Sequence, residues 1–176
     1  SGTVRGEQEE SIAKNISVYP FDGSNSTPEI SEVISRATHL LITIPPQASG
    51  DVVLQNFSEE ISRARHLQWI GYISSTGVYG DTQGEWVDES SPLLASADRN
   101  RQRIEVESAW LKLGKVHGLP VMIFRCVGIY GPGRNLLVSV RQGRARRIDK
   151  SGLVFSRIHS EDLAQTLEAS MKKPQS

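Results

Sequence analysis

The residues best suited to chemistry gather at the end of one apolar run. Gln68 to Ile73 leads into Ser74, Ser75 and Thr76, with Tyr79 a few positions on. A hydroxyl at a strand end can orient a substrate oxygen, and a nearby Tyr can donate a proton. The same hydroxyl can instead cap the loop that follows. Arg99 and Arg103 are spaced i,i+4, which puts both guanidinium groups on one helix face. Arg stays protonated at any working pH, so this pair suits a clamp on phosphate or carboxylate, or a solvated face, rather than proton transfer. His159 stands beside Glu161 and Asp162 just before a predicted helix, but a metal site needs more than one His at better spacing, so we assign no metal. Cys126, the single cysteine, falls in a buried run and reads as an inert core thiol.

The elements that position these groups follow from apolar periodicity. Ile16 to Tyr19 reads as a short strand stopped by Pro20 and the Asp22-Gly23 turn, and a helix starts near Pro28. His39 to Ile44 is apolar on both faces and stops at Pro45-Pro46, as a central parallel strand would. Val52 to Arg65 has helical spacing, Gln68 to Ile73 is the next strand, and a long helix runs from about Asp98 to Val116. Val121 to Phe124 is another strand, Asn135 to Gln142 is helical, Val154 to Ile158 is extended, and Ser160 caps a last helix. Strand and helix alternate throughout, which predicts an α/β, Rossmann-like, doubly wound parallel sheet with right-handed crossovers. Ligands of such sheets lie beyond the carboxyl ends of the strands, here Pro45, Ser75 and Arg125 to Tyr130.

Composition excludes several classes. With 176 residues the chain reads as one domain, 1–176. Lys plus Arg and Asp plus Glu both total 20, so nothing global favours nucleic acid or an anionic membrane. Arg144, Arg146 and Arg147 form a basic run without aromatic neighbours, which is a poor nucleic-acid signal. No apolar run is long enough to span a bilayer and no signal peptide opens the sequence, so a cytoplasmic setting is expected.

Several blocks, in order, resemble the extended short-chain dehydrogenase/reductase (epimerase/dehydratase) family. They are Ser74-Ser75-Thr76-Gly77-Val78-Tyr79-Gly80, Glu89-Ser90-Ser91-Pro92, Glu107 on the long helix, Phe124 through Tyr130-Gly131-Pro132-Gly133, and His159-Ser160-Glu161-Asp162. The resemblance covers about Ser1 to Ala169, and it implies NADP or NAD as cofactor and a small alcohol, carbonyl or sugar-nucleotide-like substrate. It places Ser75, with Thr76 in reserve, at the family's catalytic hydroxyl. It also implies cofactor contacts from Arg5, Asp22, Ile44, Pro45, Pro46, Ser74, Arg103, Arg125, Val127 and Gly128. Arg5, after the family's second strand, would take a 2′-phosphate, or is simply an exposed loop Arg; Asp22 would meet adenine, or only makes a turn.

Two departures qualify that picture. No G-x-G-x-x-G occurs, so the first strand, glycine loop and first helix of the family are expected to be absent from this chain, which reads as truncated at both ends. The family's Tyr-x-x-x-Lys is also missing, and counting back from Glu107 its two positions fall on Arg99 and Arg103. Tyr79 is the leading stand-in for the lost Tyr. The expected function is an NAD(P)-dependent oxidoreductase or epimerase-like enzyme, with a small-molecule substrate and a homodimer as the partner expectation. The alternative is a dinucleotide-binding sensor or scaffold without turnover.

Overall fold

A computed structural model of the protein describes residues 1–5, 15–146 and 154–174. In chain order its elements are strands β1 (Gly2–Val4) and β2 (Val18–Pro20), helix α1 (Pro28–Arg36), strand β3 (His39–Ile42), helix α2 (Val52–Arg63) and strand β4 (Trp69–Ser75). A 3₁₀ turn (Thr76–Tyr79) follows, then α3 (Asp98–His117), β5 (Val121–Cys126), β6 (Gly128–Tyr130), α4 (Leu136–Arg141), β7 (Arg157–His159) and α5 (Ser160–Lys172). The alternation read from the sequence is therefore the alternation of the fold.

Local chemistry sets the ends. Thr27 caps α1 through its side chain and Pro28 fills the first helical position, where its missing N–H costs nothing. Asp51 caps α2, its carboxylate accepting from Val53 N and Leu54 N at 2.9 and 2.8 Å. Gly118 ends α3 in the left-handed conformation at φ 66°, a position that suits glycine because it has no Cβ. Pro20 belongs to β2 rather than stopping it. Phe21 N donates to Val4 O, so by alternation the position of the missing Pro20 N–H faces away from β1 and breaks no ladder bond. The last helix begins at Ser160 itself, and its cap is His159, whose Nδ1 accepts from Glu161 N at 3.4 Å. The expected strand at Val154 to Ile158 lies later, at β7, and Arg147 of the basic run lies outside the described residues.

Among the described residues all strand pairs are parallel, and they fall into three groups: β1-β2, β3-β4-β5 and β6-β7. The predicted neighbours His39–Ile44, Gln68–Ile73 and Val121–Phe124 are β3, β4 and β5, in that order. Trp69, Ile70 and Tyr72 of β4 are fully buried, as is Trp110 of α3, which stacks on Tyr72 at 6.4 Å between ring centres. Phe57 and Ile61 of α2 close the core of Ile70, Tyr72 and Trp110, while Trp69 faces the other side of the sheet and donates to Ser170 of α5. Among the described residues no ladder joins β1 to β3. A slot separates them, with a cavity of about 660 Å³ at one end, reached by Ser1 and His39, and one of about 230 Å³ at the other, reached by Val4, Arg5, Thr43 and Ile44. Among the described residues no helix is long and apolar enough to cross a membrane.

Because Trp110 fills the space between α3 and β4 completely, Trp110→Ala should cost about 3–5 kcal/mol. A urea titration of the intact protein checks this.

Candidate functional site

Strand β4 delivers the hydroxyls, and its alternation sends them opposite ways. Ser74 is buried and donates to Glu107 Oε1 at 2.5 Å. Ser75 is half-buried, and its Oγ accepts from Gly77 N at 3.1 Å, capping the 3₁₀ turn. Glu107, 3% exposed, is paired by Arg125, 18% exposed, whose Nη2 and Nε donate to Oε2 at 2.9 and 3.1 Å. Arg125 Nη1 also donates to the Tyr79 hydroxyl at 3.0 Å and reaches the Glu89 carbonyl at 3.4 Å, and its guanidinium stands 5.1 Å from the centre of the Tyr79 ring. Burial pulls the Arg125 pKa down, but the bonds and charge of Glu107 and Tyr79 outweigh it and hold the group above its ordinary value. One ion pair thus binds β4, β5, α3, the turn and the loop after it. Ser74 and Arg125, expected to contact cofactor, are parts of this clamp. Tyr79 is only 4% exposed and held by Arg125.

Arg99 and Arg103 separate. Arg99 is exposed, whereas Arg103 turns inward and its Nη1 reaches the Ile73 carbonyl at 3.4 Å. Its charge acts on Tyr72 and on Cys126, which pairs with Ser75 across β4-β5, so Arg103 lies over the same strand ends as Ser75. Burial pushes the Tyr72 hydroxyl up to about 12, and burial likewise raises the Cys126 thiol, which is not a ready nucleophile. Beneath Arg103 lies a polar cluster that the sequence did not reveal: Asp51, Tyr72 and Trp110. Among the described residues the Tyr72 hydroxyl and Trp110 Nε1 are buried without a hydrogen-bond partner of normal geometry. Burial raises the Asp51 carboxyl above its usual range, partly offset by the N–H groups of Leu54, Trp110 and Val53.

A second group lines the cavity of about 230 Å³ at the carboxyl ends of β1 and β3: Arg5, Asp22, Gly23, Ile44, Pro45 and Val52. Four expected cofactor residues, Arg5, Asp22, Ile44 and Pro45, share this space; Pro46 does not line it. Ser24 donates to Asp22 through its hydroxyl and its N–H at 2.5 and 2.8 Å, and these bonds, with a smaller contribution from Arg5, hold that carboxyl below its usual range. The cavity offers an apolar wall, a carboxylate and a guanidinium. Val127 and Gly128 lie apart from it, between β5 and β6, with Gly128 N bonded to Ser156 O. Thr76 starts the 3₁₀ turn beside Ser75. Among the described residues no group of three or more His, Cys, Asp or Glu side chains is placed to hold a metal.

Comparison with known proteins supports the resemblance. No family model matches the sequence. Protein YeeZ of Escherichia coli K12 is 36% identical over 112 residues, 59% of this chain, and the chain spans only 38% of YeeZ. A conserved protein of unknown function from Silicibacter pomeroyi shares 43% identity and a TM-score of 0.73 over 90% of this chain and 53% of its own. A provisionally named NAD-dependent epimerase/dehydratase from Methylobacillus flagellatus shares 25% identity and a TM-score of 0.70 over 98% of this chain and 60% of its own. The dTDP-glucose 4,6-dehydratase of Bacillus anthracis, solved with NAD, is 18% identical with a TM-score of 0.70, a likeness of fold. The fold is Rossmann-like, and the chain is similar to a protein named as an NAD-dependent epimerase/dehydratase.

Two outcomes follow from the buried charges. Removing one partner of a buried ion pair leaves the other uncompensated, so Glu107→Ala should cost about 3–5 kcal/mol, read from chemical denaturation. For Asp51 the folded pKa is raised, so its contribution is fully present below the unfolded value of 3.8 and is lost as pH rises through the folded value. Asp51→Asn removes that titration and should flatten the stability-pH curve just above 3.8, measured as the urea midpoint at successive pH values.

Proposed function

We propose that this chain is the dinucleotide-binding part of an NAD(P)-dependent, epimerase/dehydratase-like protein acting on a small alcohol or carbonyl, with an anionic group on the substrate. The single observation that carries the reading is the shared cavity of Arg5, Asp22, Ile44 and Pro45 at the carboxyl ends of β1 and β3. Arg5 and Asp22 would hold the adenosine half, and Ser75 with Arg103 would face the substrate. When bound, the nicotinamide supplies hydride exchange with the substrate. Ser75 would orient the reacting oxygen and Arg103 would hold the anionic group. In the intact protein a further parallel strand would fill the slot between β1 and β3, and its terminal turn would give backbone N–H groups to the pyrophosphate. Both neighbouring strand groups are parallel and leave that slot unbridged, and the relatives are longer than this chain.

The test is calorimetric titration of the intact protein with NADPH and NADH. Arg5→Ala should weaken NADPH at least about tenfold more than NADH, as expected for a lost charged hydrogen bond to phosphate. Ser75→Ala should leave dinucleotide affinity unchanged and lower turnover about 10²-fold over a panel of alcohols and carbonyl compounds. Absence of binding by the intact protein overturns the reading. A second reading, binding without turnover, is favoured by the burial of Tyr79 under Arg125, which leaves the strand end without an accessible phenol. Binding with no turnover in the unaltered protein selects it.

A further inference from the structure

Beneath the strand ends lies a set of buried polar groups that the chemistry proposed above does not use. It joins Asp51 at the start of α2, Tyr72 on β4, and Arg103 and Trp110 on α3. Arg103, Glu107 and Trp110 are spaced i, i+4 and i+7, so they share one face of α3. Tyr72 and Ser74 share the face of β4 beneath it. Two contacts fix these faces together: Ser74 donates to Glu107, and Trp110 stacks on Tyr72.

The donors and acceptors of this set have one consistent arrangement. Asp51 is 5% exposed, and its Oδ1 takes both cap bonds, from Val53 N and Leu54 N, which leaves Oδ2 for other donors. Trp110 Nε1 can only donate, and the Tyr72 hydroxyl can donate once and accept twice. Neither meets a partner at full hydrogen-bond geometry among the described residues. Trp110 acts on Asp51 as a donor, while Arg103 and Asp51 act on Tyr72 with opposite charges. The Tyr72 hydroxyl, pushed up to about 12 chiefly by burial, keeps its proton near neutral pH. A carboxylate only accepts and a guanidinium only donates, so the phenol proton turns to Asp51 and a lone pair turns to Arg103. Arg103 needs that acceptor. It is half-buried, its Nη1 reaches the Ile73 carbonyl only at 3.4 Å, and among the described residues it forms no ion pair.

We propose that Tyr72 and Asp51 are positioning residues for Arg103: the hydroxyl, turned by the carboxylate behind it, holds the guanidinium over the strand end where Ser75 emerges. The hold sets the affinity of that point for a phosphate or carboxylate group, which rests on the reading of Arg103 as an anion holder. A guanidinium fixed in this way keeps its remaining N–H groups aimed for paired bonds and loses less side-chain freedom when the anion arrives.

Two conservative variants of the intact protein test this. Tyr72→Phe keeps the ring and its packing and removes only the hydroxyl. Asp51→Asn keeps an oxygen for the cap but presents an amide donor to Tyr72, which draws the lone pair away from Arg103. The order parameter of the Arg103 Nε–H, its signal identified by its loss in Arg103→Ala, should fall from above about 0.8 to below about 0.6 in both. Inorganic phosphate, titrated by calorimetry, should bind each about three- to tenfold more weakly. Arg103→Ala should weaken it at least about tenfold, and adding Tyr72→Phe to Arg103→Ala should change nothing further. A hydroxyl that only fills space would leave both readouts unmoved on its removal. An Arg103 equally ordered in the two variants therefore overturns the proposal. If both variants free Arg103 and yet Arg103→Ala leaves phosphate binding unchanged, Arg103 is no anion holder, and that reading falls together with the role given to it here.

Discussion

The pairing of Glu107 with Arg125 is the interaction on which the site depends. Both groups are largely withdrawn from water, so each would be costly alone, and their bonds to each other, to Ser74 and to Tyr79 offset that cost. The partners come from α3, β5, the end of β4 and the turn after it, which fixes these elements mutually rather than in sequence. Ser75 lies between Ser74 and Tyr79, both members of the network, so its position is set from both sides. A pair built of apolar residues could fill the same volume, but it would not specify which hydroxyl points inward and which outward.

The second constraint is the division of the parallel strands into three groups. Parallel sheets are stable when both faces and both edges are covered. Here α2 and α3 cover one face of β3, β4 and β5 and α5 lies against the other, while among the described residues β1 and β2 hold together without a ladder bond to β3. Cavities mark both ends of the division, and the one at the carboxyl end collects Arg5, Asp22, Ile44 and Pro45. The same feature that leaves β1 and β3 without a shared ladder shapes this cavity, so fold and proposed cofactor site rest on one geometry.

Much of the fold was legible in the sequence because its signals are local. The continuous apolar runs at His39, Gln68 and Val121 mark buried parallel strands, and Pro28 marks a helix start. The short strands were less so. β6 has only Gly128, Ile129 and Tyr130, too few residues for any period, and it forms because β7 lies beside it. Of the candidate residues, Arg5, Asp22, Ile44 and Pro45 share a cavity, and Ser75 and Arg103 approach the same strand ends. What could not be read was direction. Strand alternation sends Ser74 to Glu107 and Ser75 elsewhere, yet only the register of β4 against α3 decides which is which. Glu107 was visible as a helix residue, but its pairing with Arg125, 18 positions on, is a tertiary fact. The cluster of Asp51, Tyr72 and Trp110 joins three elements, and no spacing within one of them announces it.

The two roles weighed for Ser75, cap and substrate hydroxyl, turn out to be compatible in chemical terms. A hydroxyl has one donor and two acceptor sites. Capping uses an acceptor site, since Gly77 N donates to Ser75 Oγ, and that bond holds the oxygen while leaving its proton for another acceptor. The cap therefore pre-orients the group instead of consuming it. Arg103, over the same strand ends, carries a guanidinium, which has five N–H donors and no acceptor, so its suited role is to hold an anion. With Tyr79 buried against Arg125, proton transfer at this strand end would fall to the substrate, to Ser75 or to water, and not to a Tyr–Lys pair. That is a difference in side-chain chemistry from the family the chain resembles.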